Sequence, residues 1–288
     1  MEFSIIIPTV NNLEYLKLAI NSLKKNSFYI HEIIVHINGN DGKTLDYLKK
    51  ENVKYSQTLE NVGLCSGVNI ASKLSSKNYI VYAHDDMYFL PKWDEELKKN
   101  IDKIGHNMFY LSCSHISAHI PNKSKLNHIY FDCGIDIKNF DEKKLLENFS
   151  TLKFYDLQGS HWAPHIIHKD MWFKVGGFSE EFNPGFGSDP DLNMKLWKEG
   201  VRIFKGVDKS RVYHFGSLTT RKNKNIIRND ANKTFLLKWK ISINYFVKYY
   251  LKRGSIYKKP LDDFTFSMTS LLELIICKIK YIFLKVKN

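Results

Sequence analysis

The chain has four cysteines in 288 residues, Cys65, Cys113, Cys133 and Cys277, and no two of them form a CxxC pair. That scatter argues against a zinc ribbon or a disulfide scaffold and fits a reducing cytosol. No stretch reaches about 18 uninterrupted apolar residues, so no transmembrane helix is expected. The opening MEFSIIIPTVNN carries no basic leader, and its apolar run is too short for a signal peptide. Internal repeats and low-complexity linkers are missing too. These absences leave one large domain, or one domain plus an appendage.

Hydrophobic residues make up 43% of the chain and aromatic residues 14%, enough to build a real core. The formal charge is +13, from 43 Lys plus Arg against 30 Asp plus Glu. Such an excess suits an anionic partner: a nucleic acid, a phosphorylated substrate or an acidic membrane surface. The chain is also heavy in Lys, Asn and Ile, a bias of AT-rich coding that raises the charge without any partner. The basic residues concentrate after residue 220 and form no aromatic and basic platform, so a nucleic-acid partner is not expected.

FSIIIPT is a β-branched run stopped by Pro8 and predicts a buried strand. Leu13, Leu16, Ile20 and Leu23 recur at helical spacing behind Asn11 or Asn12 as caps. IHEIIVHING is a second strand, KTLDYLKKE a short helix, and NVKYSQTLEN holds a short third strand. A loop with two glycines and a helix follow in NVGLCSGVNIASKLSS, then the strand NYIVYA. This alternation implies a largely parallel sheet with helices on both faces. From roughly 105 to 165 only short strands can be placed. KDMWFKVGGF predicts a helix ended by Gly176 and Gly177, and DPDLNMKLWKEG a second one, with Pro190 in its first turn. VRIFKG and SRVYHFG are expected as edge strands, and the chain from about 226 as helical and basic. Trp93, Trp172 and Trp197 are expected in the core, and Glu180 and Glu181 at the surface.

The chemistry begins where YIVYA runs into His84, Asp85 and Asp86. Adjacent carboxylates repel, and burying them is costly unless something positive holds them. Ligands of parallel sheets sit beyond the carboxyl ends of the strands, where this triplet falls. Five segments in order, SIIIPTVNN, EIIVHINGNDGKT, NVGLCSGVNIA, YIVYAHDDMYFLPKW and VGGFSEEFNPGFGSDPDLNMKLWKEG, trailed by VYHFGS, resemble the family 2 glycosyltransferases of the A-type nucleotide-sugar fold. The resemblance covers about residues 3 to 220.

It implies a single α/β catalytic domain over 1–222, with a central mostly parallel sheet flanked by helices. A basic helical C-terminal extension over 223–288 completes the chain. It further implies inverting transfer of a sugar from a nucleoside diphosphate donor, assisted by Mn2+ or Mg2+. Asp86 falls on the position that meets the cation. His84 stands where the family has its first Asp, and Asp85 is the middle residue, facing the nucleotide or solvent. Imidazole is softer than carboxylate, so His84 favours Mn2+ over Mg2+. His214, in VYHFGS, corresponds to a histidine near the metal. Asp189 is implied as the general base and Asp191 as its motif partner, capping the helix or bracing a neighbour; Ser188 replaces the usual Glu. Pro8, Thr9 and Asn11 correspond to the loop lining base and ribose. Asn38 replaces the Asp that reads the base, and Asn61, Gly63 and Gly67 correspond to the loop facing the nucleotide.

Trp162, in GSHWAPHIIHK, offers an aromatic face to a sugar. His161, His165 and His168 do not predict a zinc site, because Pro164 disrupts the helix their spacing would need. In the tail, Met268, Leu272, Ile275, Ile279, Ile282 and Val286 form one helical stripe accompanied by Lys278, Lys280, Lys285 and Lys287. That pattern suits the surface of an anionic bilayer, or packing on the domain or a second copy. A cytoplasmic enzyme is expected, peripheral on the inner face of the membrane and building a bacterial envelope glycan on a glycan or lipid-linked acceptor. A non-catalytic relative that binds sugar nucleotide is the alternative, kept open by His84 and Asn38.

Overall fold

The computed structural model describes residues 2–119, 128–216 and 230–287. Strand and helix alternate from the start: β1 (Ser4–Thr9), α1 (Leu13–Asn26), β2 (Glu32–Asn38), α2 (Gly42–Lys50), β3 (Lys54–Thr58), α3 (Leu64–Ser72) and β4 (Tyr79–Tyr82). β1 lies between β2 and β4 and is parallel to both, with Ile5 opposite Ile33 on one side and Val81 on the other. Helices cover both faces, so Ile5, Ile6 and Ile7 can all be apolar and fully buried. Each contributes on the order of 1.5–3 kcal/mol by leaving water. Asn12 occupies the cap of α1, but its side chain does not bond the helix.

The second half adds β5 (Met87–Phe89), α4 (Trp93–Ile104), β6 (Phe109–Ser117), β7 (His128–Tyr130), α5 (Glu142–Asn148), β8 (Leu157–Gln158), β9 (His165–His168), α6 (Lys169–Lys174), α7 (Ser188–Lys198) and β10 (Ile203–His214). The main sheet order is β3-β2-β1-β4-β9-β6-β10-β5, with β7 beside β6 and β8 beside β10. Among the described strands, only β5, β8 and β9 run against the common direction. The architecture is the expected mostly parallel sheet flanked by helices.

Two expectations are corrected. The region from 105 to 165 contains β6, a nine-residue strand buried along its whole length. Its Ser, Cys and His residues hid it, because their side chains are satisfied by neighbours inside the sheet. VRIFKG and SRVYHFG are not two edge strands. They form the single strand β10, inside the sheet between β6 and β5, with an irregularity between Val207 and Arg211 that looked like a break.

The boundary expected at 222/223 lies outside the described residues. Beyond it come α8 (Ala231–Trp239), α9 (Ile243–Tyr245, continued as a π-helical turn to Tyr250) and α10 (Met268–Lys287). The tail is therefore not continuously helical: residues between Tyr250 and Met268 form turns and irregular chain, with Leu157 bridging to Ile256 and Leu261 donating to the Arg202 carbonyl. Phe235, Tyr245, Phe246 and Leu251 belong to the same buried cluster as the sheet. Trp93, Trp172 and Trp197 are in the core as expected, Glu180 and Glu181 at the surface, and all four cysteines are buried and free.

Candidate active site

The turn from β4 into β5 carries His84, Asp85 and Asp86 to the carboxyl end of the sheet. β5 pairs with the end of β10, His214 opposite Met87, and Phe215 donates to the Asp86 carbonyl over 3.2 Å. This pairing sets His214 Nε2 3.2 Å from Asp86 Oδ1, with His84 Nδ1 3.9 Å from the same oxygen. Single ligand atoms of His84, Asp86 and His214 all lie within 4.8 Å of one another. His214 Nε2 is buried without a hydrogen-bond partner. One carboxylate and two imidazoles are a donor set for a divalent transition cation. Burial lowers His84 to about 4, so its imidazole is neutral, the form that ligates.

Asp85 points elsewhere. Its Oδ2 accepts from Thr9 Oγ1 at 2.7 Å, tying the turn to the end of β1. Burial, then the neighbouring Asp86, pushes its carboxyl up to about 7, against the hydrogen bonds from Thr9 and Asn12. Pro8 lies in β1 opposite His36, and Asn11 adopts a left-handed φ of 48° in the turn that follows.

Asp189 sits in the first turn of α7. Its Oδ1 is buried without a hydrogen-bond partner, and burial pushes the carboxyl up to about 7. His165 Nδ1, at the start of β9, is 3.9 Å away and bonded to Tyr110 Oη at 2.8 Å. The Tyr82 ring touches both His84 and His165, at centroid distances of 5.3 and 5.2 Å. Contacts thus run from His84 through Tyr82 and His165 to Asp189. His165 carries this link, and only its membership of a His-rich segment signalled it.

Asp191 is fully buried and both its oxygens are engaged. Ser179 donates to Oδ2, and Trp239 Nε1 donates to Oδ1 at 2.8 Å with Lys238 Nζ at 3.0 Å. These bonds brace α7 against α8, whereas Asp189 Oδ1 has no hydrogen-bond partner.

Beside β2 and α3, Asn38 donates to the Gly63 carbonyl and accepts from Val62 N–H, so both ends of its amide hold the 61–63 loop. Asn61 accepts from Gly63 N–H within that loop. Gly63 has φ +86°, and a Cβ there would come within 2.3 Å of Asn183 Oδ1. Gly67 lies in α3, where a Cβ would meet His36 Cδ2 at 2.5 Å; helix and sheet approach closely at that point. Trp162 is half-buried, donates to the Cys113 carbonyl at 2.9 Å and packs its ring on Gly206. His161, His165 and His168 do not converge: His161 bonds Gly159 and Arg253, while the other two occupy opposite ends of β9.

The mostly parallel sheet flanked by helices has the A-type fold of nucleotide-sugar glycosyltransferases. The chain belongs to glycosyl transferase family 2, whose family model matches residues 4–172. No curated protein matches the sequence. Among solved structures, S. aureus TarS is similar at 14% identity and a TM-score of 0.60, over 98% of this chain and 44% of that one. TarS 1-349 is 18% identical with a TM-score of 0.55, over 74% of this chain and 60% of its own length. The crystal structure of GalNAc-T7 with UDP, GalNAc and Mn2+ is 16% identical with a TM-score of 0.56, over 74% of this chain and 44% of that one. The chain thus spans about half the length of these neighbours.

Proposed function

We propose that the protein transfers a sugar, with inversion, from a nucleoside diphosphate sugar to a hydroxyl of a glycan or lipid-linked glycan, with Asp189 as general base. The observation that carries this is the half-buried Asp189 carboxylate, whose Oδ1 has no hydrogen-bond partner, linked through His165 and Tyr82 to the convergence of His84, Asp86 and His214. A carboxylate pushed up to about 7 is basic enough to take a hydroxyl proton near neutral pH. The acceptor oxygen, losing its proton to Asp189, attacks the anomeric carbon. The bond from that carbon to the diphosphate oxygen breaks on the opposite face. When bound, a divalent cation held by Asp86, His214 and His84 would offset the charge left on the diphosphate. The nitrogen-rich donors favour Mn2+ over Mg2+, which prefers oxygen.

Structural neighbours are described with UDP and with UDP-GlcNAc, which supports a uridine diphosphate sugar as the first donor to test. Asp86→Ala and Asp189→Ala should each remove most Mn2+-dependent transfer while the fold survives. Full activity in both variants would sink the proposal. Donor-induced thermal stabilisation with no turnover of any donor or acceptor would favour a non-catalytic sugar-nucleotide binder instead.

We also propose peripheral contact with an anionic membrane through α10. Met268, Leu272, Ile275, Ile279, Ile282 and Val286 are all exposed, as are Lys278, Lys280 and Lys285. No helix among the described residues is long and apolar enough to cross a membrane. Co-sedimentation with phosphatidylglycerol vesicles, lost on Ile279→Glu and absent with phosphatidylcholine, is the expected result. Dimerisation relieved by the same variant would assign the face to a second copy.

A further inference from the structure

β6, β7 and β10 bring a third and a fourth imidazole up to His214. His115 stands opposite His128 across the β6–β7 ladder, and the two rings lie 4.8 Å apart between centroids. The His115 ring is 5.0 Å from that of His214. Single nitrogen atoms of His115, His128 and His214 all lie within 4.8 Å of one another, as compact a group as His84, Asp86 and His214. Zinc–imidazole bonds of about 2.0–2.1 Å need only a modest contraction of such a set.

We propose that His115, His128 and His214 form a second, all-nitrogen site for a borderline divalent cation of the zinc class, and that its occupancy withdraws His214 from Asp86.

His115 is oriented as a ligand. Its Nε2 donates to the Ala163 carbonyl, which leaves the Nδ1 lone pair facing the cluster. A backbone carbonyl behind the far nitrogen is the usual support of a metal-bound histidine. His128 Nε2 lies 3.2 Å from His115 Nδ1, where it must supply the shared proton, and its own Nδ1 is buried with no partner. A cation entering between them replaces that proton as the link. The proton shifts to His128 Nδ1, so the ring stays neutral and the charge balances. His214 Nε2 is buried and faces Asp86 Oδ1 at 3.2 Å, without a well-formed hydrogen bond. Three imidazoles without a carboxylate suit zinc, cobalt or nickel and not magnesium.

The two sites share His214, and a neutral imidazole has one ligating lone pair. It therefore serves one cation at a time. A metal in the histidine site would weaken the Asp86 site, making the zinc-class ion an inhibitor. The binding half of this proposal stands without the transfer reaction; the inhibition half rests on it.

The test uses the full chain with Co2+, whose visible absorption reports a tetrahedral nitrogen site, and Zn2+ as competitor. Asp86→Asn should keep the cobalt spectrum. His128→Ala and His128→Asn, with unfolding temperatures checked against the parent, should weaken cobalt by more than the roughly 100-fold that an outer-shell partner is worth. Both His128 variants should retain Mn2+-supported donor turnover and resist zinc at concentrations that stop the parent. Cobalt binding that survives in a folded His128 variant, or that is lost in Asp86→Asn, would overturn the site. Retained cobalt binding with no zinc inhibition of an active parent would overturn the regulatory half alone.

Discussion

The two sides of the site are finished to different degrees. On the β2–α3 side, Asn38 spends both ends of its amide on the 61–63 loop. Asn183 does the same, donating to the Val62 carbonyl and Ser66 and accepting from Cys65 N–H. On the β9–β10 side, Asp189 Oδ1, His165 Nε2 and His128 Nδ1 are buried with no hydrogen-bond partner. Each such atom costs about 1–3 kcal/mol when it lacks a partner. A fold accepts that cost where a ligand completes the set. The first side is a scaffold that holds its shape alone; the second keeps polar atoms open, as the proposed chemistry requires.

The contrast can be broken by substitution. The largest effect is expected from Asp189→Asn, which should lower transfer by about 10²–10⁴, the worth of a positioned base, without lowering the melting temperature. A loss of stability there would make Asp189 part of the scaffold. Next, Asp86→Ala should lower transfer by about 10²–10³, as loss of charge stabilisation does elsewhere, and abolish the response to Mn2+ titration.

Below the value of about 7 at which Asp189 titrates, transfer should fall about tenfold per pH unit, while Asp189→Asn loses that slope. Stability should move the other way. The folded carboxyl holds its proton more tightly than the ordinary value of 3.8, so this group's contribution declines as pH rises from about 4 to 7. Asp189→Asn should flatten that decline in denaturant titrations across the range.

The smallest effect on turnover is expected from Asn38→Ala. It should cost about 1–3 kcal/mol of stability by freeing the 61–63 loop. A full loss of donor binding without loss of stability would move Asn38 to the chemical side.

The first half of the fold was legible because its pattern is local: apolar runs, helical spacing and turn residues alternate from Ile5 to Tyr82. The segments resembling the family likewise pointed to Asp86, His214 and Asp189, which the structure gathers at one sheet edge. β6 and β10 were harder to read, since their polar residues are satisfied by partners far along the chain, as Ser112 is by Ser160 and Ser114 by the Val207 carbonyl. Asn38 resembled a base-reading residue from its position; only its two long-range hydrogen bonds show that its amide is engaged. His115 and His128 carried no spacing signal, because two separate strands deliver them.

Asp191 has a consequence for mechanics. It lies two residues from Asp189 on the same helix and is gripped by Lys238 and Trp239 of α8. α8 in turn touches α10, and Lys248 and Ser242 tie the segment between them to Glu273 and Cys277 of α10. The tail is geared to Asp189, the proposed base, through this train of contacts. A load on the exposed apolar helix has a short route to that residue.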